Sequence, residues 1–125
     1  MPPMNEALNG ARSSKTPFLA HPRPRPGQSE MIADATLALS ERGFHVAAAP
    51  TGIGKTAAAL AAAVEVARQR SVRTHVLFLT GRQSQHKIVV DTVRKINANL
   101  PVEDYPLRVV DVIGRESMCE VLDPV

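Results

Sequence analysis

Three stretches of the chain carry apolar residues at helical spacing. The first helix is predicted over 29–42, with Ser29 as its N-cap and Gly43 placed for a left-handed C-cap. An Ala-rich helix is predicted over 55–70 and a third over 84–98. The apolar positions that repeat at three- and four-residue intervals form one face of each helix: Ile32, Ala35, Leu39, Leu60, Val64, Ala67, Val89, Val93 and Ile96. These faces are the predicted core.

Short apolar, β-branched runs alternate with these helices at 44–49, 74–80 and 107–113. Such runs are typical of strands buried on both faces of a parallel sheet. The resulting order, helix–βαβαβ, predicts an α/β fold with a parallel sheet and right-handed crossovers.

A glycine-rich loop separates the first predicted strand from the second helix. Gly52 and Gly54 let backbone N–H groups turn inward around a phosphate. Lys55 supplies an ammonium group for the β- and γ-phosphates, and Thr56 a hydroxyl for Mg²⁺. The sequence A-x-x-G-x-G-K-T has Ala49 where the strict phosphate-loop pattern has its first glycine. The predicted phosphate contacts are Pro50, Thr51, Gly52, Ile53, Gly54, Lys55 and Thr56, with Lys55 and Thr56 as the catalytic pair.

A second polar loop follows the predicted strand over 74–80. Its carboxyl-end position is where ligands bind in open parallel sheets. Side chains here can contact the sugar–phosphate backbone of single-stranded DNA without reading its sequence. The predicted nucleic-acid contacts are Thr80, Arg82, Gln83, Ser84 and Gln85.

Composition narrows the classes of protein without naming one. The 125 residues are 44% hydrophobic and only 3% aromatic, with no Trp, which disfavours a base-stacking sheet. The single Cys excludes an internal disulfide, and no apolar run is long enough to span a bilayer. The net charge of +3 arises before Gln28, from Arg12, Lys15, Arg23 and Arg25 against one acid. We therefore predict a disordered Pro/Arg-rich arm over 1–27, a neutral domain over 28–125, and a cytoplasmic location.

Taken together, the segments at 25–28, 49–56, 76–85 and 112–119 resemble XPD/DinG-type DNA helicases of superfamily 2. The resemblance implies a RecA-like phosphate-loop domain that uses ATP and Mg²⁺ to unwind DNA in the 5′-to-3′ direction. It also implies single-stranded or forked DNA as the partner. It further implies that Gln28, with Arg25 beside it, contacts adenine.

Two features of that family bear on the end of this sequence. Cys119, after Gly114-Arg115, matches the first of four cysteines that hold a 4Fe-4S cluster, which only a longer parent could complete. The family's Asp-Glu-Ala-His box is absent. We therefore expect an N-terminal portion of the motor domain that binds nucleotide without efficient turnover.

Two alternatives remain open at this point. Asp111, after the apolar pair at 109–110, could serve as the metal-binding acid of a small, complete phosphate-loop ATPase or kinase. The other alternative is a nucleotide-binding module with no catalytic activity.

Overall fold

The computed structural model describes residues 17–114, and this part of the chain contains three α-helices. Helix α1 is Gln28–Ser40, α2 is Lys55–Gln69 and α3 is Gln83–Asn99. Each end lies within two residues of the predicted one, so the helical periodicity is confirmed. None of these helices is long and apolar enough to cross a membrane.

The core lies on both sides of α2, which packs against α1 and against α3. Small residues on α2 allow close approach to α1, and Leu19 joins that side of the core. On the other side Leu60 meets Val93 and Ile96 of α3. The core residues buried from solvent are Leu19, Ala20, Ile32, Ala35, Ala57, Ala58, Leu60, Ala61, Ala62, Val64, Val66, Val93 and Ile96. Leu19 and Ala20 lie within 1–27, the segment predicted to be a disordered arm.

The ends of α1 differ from the predicted caps. Its N-cap is Gly27, in the left-handed region at φ 80°, and not Ser29. At the other end Arg42 adopts the left-handed conformation, at φ 59°, that was predicted for Gly43. The N–H of Gly43 donates to the carbonyl of Ala38 at 2.8 Å, which completes a Schellman motif. Glycine is suited to this position because a Cβ there would lie 3.2 Å from that carbonyl oxygen.

The predicted α/β fold with a RecA-like parallel sheet is wrong for residues 17–114. The runs at 44–49, 74–80 and 107–113 carry no regular secondary structure. They are also open to solvent, since Phe44 is 98% exposed and Leu79 is 88% exposed. Apolar, β-branched composition measures how well a segment suits a sheet, but a strand exists only when a neighbour pairs with its N–H and C=O groups.

The segment after α3 is attached to the helices by side-chain hydrogen bonds. The side-chain amide of Asn97 donates to the carbonyl of Leu107 at 2.9 Å and accepts from its N–H at 2.8 Å. Arg68 of α2 donates to the carbonyl of Tyr105. These contacts hold the segment against α2 and α3 without any strand pairing.

Candidate functional site

The glycine-rich loop ends in a left-handed turn at the start of α2. Gly52 has φ 90° and Gly54 has φ 83°, and Gly54 is the N-cap of the helix. Both values lie in the region that L side chains rarely adopt, so the two glycines predicted for this loop are required by its conformation. The carbonyl of Gly54 accepts the first helical bond, from the N–H of Ala58 at 3.0 Å.

The N-terminus of α2 is electropositive. The first backbone N–H groups of a helix lack partners within it and carry a partial positive charge. The first turn of α2 contains no acidic residue, and it begins with Lys55. An anion is the ligand that this arrangement favours.

Lys55, the predicted phosphate contact, and Thr56, the predicted Mg²⁺ ligand, are consecutive residues in that turn. Lys55 is exposed, and its Nζ donates to the carbonyl of Ala49 at 2.8 Å across the loop. Thr56 is half-buried. Lys55 thus already faces the interior of the loop, where the phosphates are predicted to bind.

Arg25 and Gln28 lie directly against the loop. The Arg25 guanidinium donates to the carbonyl of Gly52 at 2.6 Å. The Gln28 amide donates to the carbonyl of Gly54 at 3.1 Å and accepts from the Arg25 backbone N–H at 3.0 Å. Gln28 is completely buried, although its amide is polar. The structure therefore brings the two predicted adenine contacts to the glycine-rich loop.

Sequence reasoning missed one contributor to this arrangement, Gly27. Its left-handed turn precedes α1, and a Cβ on it would lie 3.0 Å from Cδ1 of Ile53. The signal was the dipeptide Pro26-Gly27, because Pro-Gly commonly marks a turn with positive φ at the glycine.

The second polar loop leads into α3, and its members have different surroundings. Thr80 is half-buried, and its hydroxyl accepts from the Arg82 backbone N–H at 3.2 Å. The Arg82, Gln83 and Ser84 side chains are exposed, while Gln85 is half-buried. Thr80 therefore shapes the turn, and the exposed side chains are available to a ligand.

Asp111 lies beside the first turn of α3. Its Oδ1 lies 2.6 Å from Nδ1 of His86. No group of three or more His, Cys, Asp or Glu side chains that could hold a metal occurs within residues 17–114. The predicted cluster ligand Cys119 lies outside the described residues.

Two basic residues on the exposed face of α3, Lys87 and Arg94, pair with Asp91. Asp91 lies 2.6 Å from Lys87 and 3.0 Å from Arg94. The hydrogen bond from Lys87 is the main cause of the lowered pKa of Asp91, with further lowering by Arg94. This face is a solvated network of charges.

Comparison with known families shows to which family of proteins the chain belongs. The family described as type III restriction enzyme, res subunit, matches residues 21–108. The chain belongs to this family. No curated protein and no solved structure matches the chain significantly.

The res-subunit family is of the helicase superfamily 2 type, so the chain carries an ATP-dependent helicase-like region. The matched range includes the segment at 25–28, the glycine-rich loop and the second polar loop. Asp111 and Cys119 lie beyond it. The match therefore supports the helicase class and gives no support to the narrower XPD/DinG assignment or to an iron–sulfur cluster.

Proposed function

We propose that the res-subunit region binds ATP with Mg²⁺, through the glycine-rich loop at the start of α2. The observation that carries this proposal is the pair of left-handed glycines, Gly52 and Gly54, at an acid-free helix N-terminus. A loop of this kind presents backbone N–H groups to an anion, and Lys55 adds a full positive charge.

Within this proposal Lys55 contacts the β- and γ-phosphates and Thr56 holds Mg²⁺. The adenine contact at Gln28 stays a prediction. So do the parent activity of 5′-to-3′ unwinding, the XPD/DinG type and a cluster ligated by Cys119. The alternative in which Asp111 binds the metal also stays a prediction; in the structure Asp111 Oδ1 lies against His86. Lys55 and Thr56 alone are not expected to hydrolyse ATP efficiently.

The metal contact predicts a specific change at Thr56. For the unmodified chain, we expect ATP to bind more tightly when Mg²⁺ is present. Thr56→Ala is expected to remove that gain, with roughly tenfold weaker binding of Mg-ATP, or about 1.4 kcal/mol, and little change for metal-free ATP. Isothermal titration with and without Mg²⁺ measures both values.

Thr56→Ser is the matched variant for this test, since it keeps the hydroxyl and is expected to retain the Mg²⁺ effect. No heat of ATP binding to the unmodified chain, or equal Mg²⁺ effects in all three proteins, would contradict the assignment.

We further propose that the exposed side chains of the second polar loop contact the backbone of single-stranded DNA. Arg82 is the one charged member of this group. Its loss should remove about one phosphate contact, and each contact contributes about 0.7 to the slope of log affinity against log salt concentration. Arg82→Ala is therefore expected to make that negative slope shallower by about 0.7 for a single-stranded oligonucleotide of mixed sequence, measured by fluorescence anisotropy.

Arg94→Ala is the matched control for this measurement. Arg94 is exposed and carries the same charge, but it lies against Asp91. If both variants lower the slope equally, only the general charge of the chain matters and the contact at Arg82 is refuted.

A further inference from the structure

Two side chains at the start of α1, from Arg25 just before the helix and from Gln28, its first residue, bind carbonyl groups of the glycine-rich loop. Arg25 holds the carbonyl of Gly52, and Gln28 holds that of Gly54. The Gln28 amide is itself fixed by the Arg25 backbone N–H. We call Arg25 and Gln28 the carbonyl clamp. The two hydrogen bonds join residues 27 and 26 positions apart in sequence, so the contact is a product of tertiary packing.

Holding these carbonyls also orients the N–H groups of the same peptide units. The peptide bonds of the described residues are all trans. In a planar trans peptide the N–H points away from the C=O. The N–H groups of Ile53 and Lys55 therefore point away from the clamp, on the side of the loop where an anion would be bound.

The clamp is closely packed as well as hydrogen-bonded. A Cβ on Gly54 would lie 2.6 Å from Nε2 of Gln28, and a Cβ on Gly27 would lie 3.0 Å from Cδ1 of Ile53. Gln28 has no exposed surface. These contacts leave the loop little freedom to turn its carbonyls toward the anion side, where they would repel a phosphate.

We propose that Arg25 is a positioning residue that sets the glycine-rich loop for phosphate binding before the nucleotide arrives, independently of the base. The proposal rests on the proposed function, because it concerns the same site. Arg25 acts through the Gly52 carbonyl, and an ordered loop spares the ligand the entropic cost of ordering it. Such a residue affects every polyphosphate ligand equally, whereas an adenine contact affects ATP alone.

The test compares Arg25→Ala with the unmodified chain for three ligands: ATP, GTP and inorganic tripolyphosphate, each with Mg²⁺. A hydrogen bond from a charged group is the interaction lost, and its exposure reduces the effect. We expect affinity to fall by the same factor for all three ligands, about three- to tenfold. Amide hydrogen exchange of peptides covering 49–56 should rise in the nucleotide-free variant.

Two further variants separate the clamp from charge and from general stability. Arg23→Ala removes the same charge from an exposed position two residues away, and it should leave loop exchange unchanged. Arg25→Lys keeps a charged donor and should restore part of both the affinity and the protection. Exchange in α3 should be the same in all four proteins.

Three results would overturn the proposal: loss of ATP binding alone, equal effects of Arg23→Ala and Arg25→Ala, or unchanged loop exchange in Arg25→Ala. Failure of the proposed function would look different, because the unmodified chain would then bind none of the three ligands. Loop exchange in the nucleotide-free proteins would still report on the clamp in that case.

Discussion

Lys55→Ala is expected to weaken ATP binding by roughly 10- to 100-fold, equivalent to about 1.4–2.8 kcal/mol. The ammonium group is the one full positive charge in the first turn of α2, and a phosphate there would replace the Ala49 carbonyl as its partner. Titration of the variant with Mg-ATP measures the effect. Because Lys55 is exposed, the thermal midpoint of the variant should stay within a few degrees of the original.

Lys95→Ala is the control for this prediction, since Lys95 is an exposed lysine on α3. Lys95→Ala should leave ATP affinity within about a factor of two, because salt screens the interaction of an exposed charge with the ligand. Unchanged affinity in Lys55→Ala would refute the phosphate assignment of the whole loop.

Gly54→Ala is expected to destabilise the protein by about 2–5 kcal/mol, the sum of two costs. Placing an L residue at φ 83° costs about 1–2 kcal/mol. The new Cβ would also lie 2.6 Å from Nε2 of Gln28, so the buried amide must move and lose its bond to the Gly54 carbonyl. An unsatisfied buried polar group costs about 1–3 kcal/mol. Urea unfolding followed by circular dichroism measures the free energy of unfolding.

Gly52→Ala is the matched control for the strain at Gly54. Gly52 has φ 90°, but a Cβ there has no atom within 4 Å. Its expected cost is therefore the backbone strain alone, about 1–2 kcal/mol. If the two alanine variants lose equal stability, the close packing of Gln28 on Gly54 is refuted.

A double-mutant cycle isolates the contact itself. In a Gln28→Ala background the obstructing amide is gone, so adding Gly54→Ala should cost no more than Gly52→Ala does. An interaction energy near zero would show that Gln28 and Gly54 are independent.

Helix positions could be read from the sequence because helices are local. Their hydrogen bonds join residues four apart, and the apolar spacing that buries one face recurs within each segment. The periodicity therefore predicts the core positions Ile32, Leu60 and Ile96, which are buried. The cap of α1 was harder to predict, because Ser29 and Gly27 both suit such a position and the choice depends on how the preceding turn packs.

The sequence alone determined the three helices, the glycine-rich loop and the residue types that suit an anion. It also favoured a sheet that residues 17–114 do not form, because strand pairing joins segments that are distant in sequence and composition cannot report it. Only the tertiary structure placed Arg25 and Gln28 on the carbonyls of Gly52 and Gly54. That contact depends on the packing of α1 against α2, which brings together groups about 27 residues apart through buried apolar surface.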